Sequence, residues 1–260
     1  MSYNPITGAR VAQSPVVIKA VEMVRPANTT QYAAGDAVAP ATVAITAASN
    51  ATPIVVTAAA HGLATDDRVT IASVGGNTNA NGNWKVVVLT SSTFAIYNEV
   101  TGAARAGNSA YTSGGTLQKA LRLADVVPED AGAGEIIGIR LVLGDAGVTT
   151  ATFRMRFLNQ LITQIADNAA FTELYANRAK EVGDIALSTV ITEGSGSDSA
   201  VVTQMQAVGI PFVCGASRRD LFIQMEAIGA YTPASAEAIR IEVMIRRSSV
   251  PSSVAFGQGV

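Results

Sequence analysis

Charge is scarce in this chain. Asp, Glu, Lys and Arg make up 15% of its 260 residues, against about 25% in an average soluble domain. Aromatic residues reach only 5%, and the 48% hydrophobic fraction leans on Ala and Val. A surface with so few charges implies that part of the exterior meets other protein. There is one histidine, His61. That excludes a His-rich metal site and leaves any Ser-His-Asp mechanism dependent on a single residue. Cys214 is also alone, so an intrachain disulfide and a cysteine zinc site are both excluded. No segment approaches 18 continuous apolar residues, and residues 1–14 lack the basic start and apolar stretch of a signal peptide. The expectation is a soluble protein made in a reducing compartment, with no membrane partner. The net charge is −2 and the 18 basic residues are scattered. Pairs such as Arg218-Arg219 and Arg246-Arg247 are too short to form the basic face that nucleic acid requires.

What is present is a period of two. Ala238-Ile-Arg-Ile-Glu-Val-Met-Ile-Arg246 sets Ile239, Ile241, Val243 and Ile245 on one face of a half-buried antiparallel strand. Thr152-Phe-Arg-Met-Arg-Phe157 repeats the device with Phe153, Met155 and Phe157 inward. Residues 219–226 alternate Leu221, Ile223 and Met225 with polar neighbours. Further β-type runs cover residues 16–24, 136–143, 181–187 and 210–214. Gly144-Asp145, Gly194-Ser-Gly-Ser-Asp198 and Thr232-Pro-Ala-Ser235 punctuate them as turns. Many short strands with such turns predict a β-sandwich or jelly roll. One helix is predicted over residues 168–180, capped by Asp167 or Asn168.

Residues 42–116 differ from their flanks, being rich in Gly, Asn, Thr and Ala. They carry their own short strands at 54–57, 68–72, 84–89 and 94–97, with long polar turns at 74–83 and 101–113. Without them, the strand at 16–24 and the turn Gly35-Asp36 continue into residues 117–124. The expected organisation is therefore a jelly-roll or β-sandwich domain built from residues 15–41 and 117–247. A small β-domain at 42–116 interrupts it, and extended ends at 1–14 and 248–260 serve as arms in an assembly.

Candidate chemistry is sparse. His61, just after a strand, is placed to fix a turn by hydrogen bonding. Cys214 lies in the apolar run Gly209-Ile-Pro-Phe-Val-Cys214 and reads as a small buried hydrophobe. Asp66-Asp67 and the group Asp125, Glu129 and Asp130 offer carboxylates for a hard cation, but without the spacing of a calcium loop. Gly132-Ala-Gly134-Glu-Ile-Ile-Gly138 precedes a β-type run, whereas a dinucleotide loop precedes a helix. Tyr32, Trp84, Tyr97, Tyr111 and Tyr231 could build a sugar platform; isolated aromatics in β-proteins more often belong to the core. Asn28-Thr-Thr30 and Asn50-Ala-Thr52 match the glycosylation sequon, which has no meaning without secretion. No catalytic, cofactor-binding or metal-binding residue is assigned, and the chain is expected not to be an enzyme.

Two segments carry a resemblance. Ala60-His-Gly-Leu-Ala-Thr-Asp-Asp-Arg-Val-Thr-Ile71, Asn81-Gly-Asn-Trp-Lys-Val-Val-Val-Leu89 and Thr93-Phe-Ala-Ile-Tyr97 together resemble a small β-barrel module. Phage tail and virion proteins carry that module as an insert, and ubiquitin-activating enzymes contain a relative. The module usually has Gly where this chain has Asp66. Gly134-Glu-Ile-Ile-Gly-Ile-Arg-Leu-Val-Leu143, residues 150–159, Ala166-Asp-Asn-Ala-Ala-Phe171, residues 209–214 and Ala230-Tyr-Thr-Pro233 resemble jelly-roll cement or decoration proteins of bacteriophage heads. The resemblance implies an all-β virion protein on the capsid exterior, made in the host bacterial cytoplasm. Its implied partners are the major capsid protein and itself, as a homotrimer more often than a dimer. The alternative is a tail or baseplate component, or a host-surface carbohydrate-binding protein.

Overall fold

The computed structural model describes residues 2–3, 10–11, 15–144, 151–172, 175–187, 191–192 and 201–248. Eight strands build the larger unit: β1 (Val16–Val24), β2 (Leu121–Leu123), β3 (Ala133–Leu143), β4 (Phe153–Leu158), β5 (Glu181–Leu187), β6 (Val201–Val213), β7 (Leu221–Ala227) and β8 (Ala238–Arg247). One sheet runs β1-β8-β3-β6 and the other β2-β7-β4-β5, with every neighbouring pair antiparallel. Strands exchanged between two sheets in the orders 1-8-3-6 and 2-7-4-5 make a jelly roll. Ile191–Thr192 adds a short pair to the far edge of β6 at residues 201–202.

The alternation in the sequence explains why the two sheets face each other. Ile239, Ile241, Val243 and Ile245 of β8 and Ile139 and Leu141 of β3 project into one core. Phe153, Met155 and Phe157 of β4, with Ile223 and Met225 of β7, meet them from the other sheet. Each such side chain contributes about 1.5–3 kcal/mol by leaving water. β7 departs from the expected half-exposed pattern, because Phe222 and Gln224 on its other face are buried as well. Phe222 packs with Ala120, Leu158, Leu161 and Ile162, so a third layer covers that side of the sheet. The run at 210–214 is the end of a strand that begins at Val201.

The second strand of the jelly roll is split. Leu121–Leu123 pairs with β7 at Ile223 to Leu221, and Ala37–Val38 pairs with the same edge at Glu226 and Met225. Both pieces run antiparallel to β7 along one line, and the intervening residues leave that line opposite Gln224. They enter a seven-stranded antiparallel sheet in the order Thr42–Ala44, Thr116–Lys119, Arg68–Ala72, Gly82–Thr90, Thr93–Asn98, Val55–Thr57, Ala47–Ala48. Its first and last strands are consecutive in the chain. Residues 45–46 join them, with Ile45 N–H donating to Gly115 O and Thr46 N–H to Thr57 O, both at 2.9 Å. The sheet thus closes into a small barrel with its own core of Ile54, Val56, Ile71, Val86, Phe94 and Ile96. Entry and exit strands pair with each other, Val43 opposite Leu117, and form a two-stranded stem. In the loop at 74–83, Gly76 lies at φ +74, and a Cβ there would fall 2.1 Å from Ala110 O. Only glycine fits.

The helix expected at 168–180 is reduced to a 3-10 helix at Tyr175–Lys180. Asn168 sits in the left-handed region at φ +57, which ends any helical start there. Its neighbourhood pairs instead with the 35–37 segment: Phe171 N–H donates to Gly35 O (2.7 Å) and Ala37 N–H to Ala169 O (2.8 Å). Asp167, the expected cap, is a buried hub. Its Oδ2 receives Arg25 Nη2 at 2.9 Å, and its Oδ1 accepts from the Tyr32 hydroxyl and, at 3.0 Å, from Ala39 N–H. Arg25 also donates to the Tyr32 hydroxyl, and its guanidinium lies 4.5 Å from that ring. Tyr32 stacks on Tyr231 with centroids 4.8 Å apart. Ser2–Tyr3 pairs with Arg10–Val11. The rest of the proposed N-terminal arm, residues 249–260, and the turns at 145 and 194–198 lie outside the described residues.

Removing the Asp167 carboxylate leaves the Arg25 charge buried without its counter-ion, a change that costs about 3–5 kcal/mol. Asp167→Ala is therefore expected to lower unfolding free energy in urea by that amount. Asp167→Asn, which keeps acceptors for Tyr32 and Ala39, should lose less. Equal stability of Asp167→Ala and wild type would contradict the hub.

Candidate assembly surface

The residues with chemical potential are absorbed into local structure. His61 Nδ1 accepts from Leu63 N–H (3.0 Å) and its Nε2 lies 3.1 Å from Thr90 O. It fastens the turn of the barrel to the end of the strand at Gly82–Thr90. Cys214 is buried, and burial pushes its thiol pKa from about 9 up to about 12. Asp66 pairs with Lys85 at 2.6 Å and Asp67 with Lys119 at 2.7 Å. Asp125 and Asp130 flank Arg219, each at 3.5 Å, while Glu129 stands exposed. Among the described residues, no group of three or more His, Cys, Asp or Glu side chains converges as a metal site would need. Residues 133–138 belong to β3.

The five aromatics do not assemble into a platform. Tyr32 and Tyr231 lie in the jelly-roll core. Trp84 lies in the barrel core, donating from Nε1 to Ala80 O at 2.7 Å. Tyr111 packs against the barrel core, and its hydroxyl donates to Ile45 O at 3.1 Å. Tyr97 sits on the strand Thr93–Asn98 and bridges to Ala104.

A charged cleft of about 220 Å³ lies where barrel and jelly roll meet, lined by Asp66, Arg68, Glu99, Arg122, Arg218 and Asp220 among others. Glu99 of the barrel pairs with Arg218 of the jelly roll. Arg122 Nη1 donates to Asp66 O at 2.6 Å. Burial raises the Glu99 pKa above the usual carboxylate range despite Arg218 and Arg68. It lowers that of Arg68, which also faces Arg122. The Glu99–Arg218 pair clamps the two units, while Glu99 Oε2 and Arg218 Nη1 are buried without a hydrogen-bond partner. Gln118 Nε2 reaches Ile165 O (3.1 Å), and Gln164 N–H donates to Thr70 Oγ1 (3.1 Å). The barrel is fastened to the third layer by these bonds.

The open surface is elsewhere. A groove of about 570 Å³ at one end of the sandwich is lined by Gly134, Asn159, Val182, Pro211, Phe212 and Val213, with Glu135 and Arg246 at its rim. Val213 is 52% exposed. Glu135 and Arg246 neutralise each other at 2.8 Å. Gly134 lets the Phe212 ring approach, since a Cβ there would meet its Cζ at 2.8 Å. Asn159 Oδ1 is buried without a hydrogen-bond partner, an unused acceptor beside an apolar wall. On the opposite edge of the same sheet, β1 exposes Val16, Ile18 and Val24. None of this was named as a site from the sequence. The signal available there was the β1 run itself, whose outward positions 16, 18 and 24 are aliphatic where a solvated face would be polar.

No protein-family model and no curated relative matches the chain. A chain from the X-ray structure of tomato aspermy virus aligns with 53% of this chain and 72% of its own length, at 10% identity and a TM-score of 0.23. A similarity of that size carries no argument about fold or function, and the jelly-roll assignment rests on the strand order alone. No helix among the described residues is long and apolar enough to cross a membrane.

Burial also raises the pKa values of Tyr32 and Tyr231. For these groups and Cys214 the folded pKa exceeds the unfolded one, so their stabilisation is complete below the unfolded values and is lost as pH rises beyond them. Each group then lowers stability by about 1.4 kcal/mol per pH unit until its folded pKa is reached. Urea unfolding should show stability falling between pH 9 and about 12, with a shallower fall in Cys214→Ala. A flat profile over that window would refute the burial assigned to these groups.

Proposed function

We propose that this chain is a structural protein of a bacteriophage virion, a cement or decoration protein that binds the outside of the head and bridges major capsid subunits. The observation that carries this reading is the groove at Phe212 and Val213. It is largely apolar and open, its rim carries the Glu135–Arg246 pair and the Arg247 guanidinium, which donates to Val126 O and Asp125 O, and it sits on a two-sheet scaffold. Such a surface suits a protein segment, with Asn159 Oδ1 accepting one backbone N–H from the occupant. The chain would act by burying area between neighbouring subunits. Contacts of modest size suffice when each copy touches more than one partner, because the second contact forms at high effective concentration.

The barrel is inserted into the strand next to β7, and none of its residues lines the groove. In this reading it projects from the head surface and leaves the capsid contact to the jelly roll. Replacing residues 42–117 by a short linker should therefore preserve binding to heads that lack the protein. The excision removes the barrel side of the cleft at Phe222, so the variant's folding is checked by its thermal transition; a folded variant that no longer binds would reverse the roles.

Val213→Asp places a charge in the groove at a half-exposed position that the fold tolerates. It should weaken head binding at least tenfold, equivalent to about 1.4 kcal/mol, with an unchanged melting temperature. Unaltered binding would remove the groove from the interface. Immunogold labelling of purified virions tests the reading as a whole. Label over the head supports it, label confined to the tail replaces it with a baseplate role, and unlabelled particles sink it.

A further inference from the structure

Every arginine on the strands of the two sheets but one pairs with a carboxylate. Arg122 meets Asp220, Arg140 meets Glu242, and Arg154 meets Asp184. Arg156 meets Glu226, Arg240 meets Glu22, and Arg246 meets Glu135. Among the described residues the exception is Arg247, the last residue of β8. Its Nε donates to Val126 O at 2.9 Å and its Nη2 to Asp125 O at 2.7 Å. Both acceptors are neutral main-chain oxygens, so they hold the guanidinium in place without cancelling its charge. The Asp125 carboxylate serves Arg219 instead, 3.5 Å from its Nε.

Arg247 lines the Phe212–Val213 groove. Phe212, Gly134 and Arg247 form one row across β6, β3 and β8, and residues opposed in antiparallel strands project from the same face. Gly134 contributes no side chain between the two. The charged residues of the lining are Glu135, Arg246 and Arg247. Glu135 is already engaged by Arg246 at 2.8 Å, so one positive charge is left over. The rest of the wall includes Ala133, Val182, Pro211 and Val213. Arg247 is half-buried, where solvent and salt screen a charge less than on an open surface.

This combination specifies an occupant. A free phosphate would meet one guanidinium, a wall of hydrocarbon and the Glu135 carboxylate. A wholly apolar segment would cover Arg247 and leave its charge desolvated without a counter-ion. A segment that brings aliphatic side chains together with a carboxylate satisfies both parts of the wall, through charge-assisted hydrogen bonds stronger than neutral ones. We infer that the groove selects an acidic segment of its protein partner, whose aliphatic side chains cover Val182, Pro211 and Val213 and whose Asp or Glu carboxylate pairs with Arg247. The inference rests on reading the groove as the capsid contact and adds the chemistry of what enters it.

Binding of the purified full-length chain to heads that lack it tests this, at low salt and in 1 M salt, where the screening length falls to about 3 Å. At low salt Arg247→Gln should bind about tenfold more weakly than wild type, and in high salt the two should converge. Arg247→Lys, which keeps the charge, should recover most of the low-salt affinity. A loss that persists undiminished in high salt, or a lysine variant no better than glutamine, makes Arg247 a bracket for residues 125–126 and overturns the inference. Removing residues 249–260, which follow the groove residue Ser248 in the chain, should leave the Arg247→Gln loss in place. A deletion that by itself cancels the loss makes the chain's own tail the occupant and also overturns it. Weakening by Val213→Asp without weakening by Arg247→Gln keeps the groove as the capsid contact and refutes an acidic occupant. Wild type that fails to bind heads removes the capsid reading and the inference with it.

Discussion

The carboxylate of Asp167 accepts hydrogen bonds from three points of one stretch, residues 25–39, that lies at least 128 residues earlier in the chain. Arg25 directly follows β1, Tyr32 belongs to the loop after it, and Ala39 is the first residue past the Ala37–Val38 half of the split strand. Fixing these three together sets where the chain leaves the jelly roll and at what point the barrel begins. Burial disfavours the Arg25 charge, yet the neighbouring Tyr32 and Asp167 outweigh it and hold its pKa above the usual value. A buried pair of this kind adds little net stability over an apolar substitute. Its contribution here is to specify one arrangement among the many that a chain rich in Ala and Val could pack.

From that anchor the two units follow as one construction. The split strand is held on both sides of the excursion by the same β7 edge, and the entry and exit strands of the barrel pair with each other. The junction is then filled by Phe222 and its apolar partners and ringed by the Glu99–Arg218 pair. Most of the few charges are used in this way or as ion pairs across neighbouring strands, such as Arg140 with Glu242 and Arg246 with Glu135. Exposed pairs contribute little energy, but they neutralise the outer faces. What remains for a partner to recognise is shape and aliphatic surface at the Phe212–Val213 groove, with the charge of Arg247 beside it.

Much of this was legible from period and turn chemistry. Val16–Val24 and Glu181–Leu187 coincide with their sequence runs, and Arg68–Ala72 does so within the barrel. Alternation also assigned Phe153, Met155 and Phe157 to the core. The failures have a common cause, which is that tertiary pairing overrode local preference. Residues 168–171 have helical composition, but their backbone groups pair with the 35–37 segment. Phe222 and Gln224 read as a solvent face because the third layer comes from a distant stretch. Asp66 occupies a turn position at φ +77, which explains why Gly is usual there in the module it resembles. The candidate surface was the least legible. A groove at Phe212 and Val213 depends on which strand ends are neighbours.

The most direct test of a mechanical role is the temperature at which DNA-filled heads release their DNA, with and without this chain. Heads purified from phage lacking the protein should rupture at a lower temperature than complete heads, and adding the purified wild-type chain should restore the higher value. Equal rupture temperatures in heads shown to carry the chain would contradict the account, because a protein that adds buried interface to a loaded shell must raise the barrier to opening it.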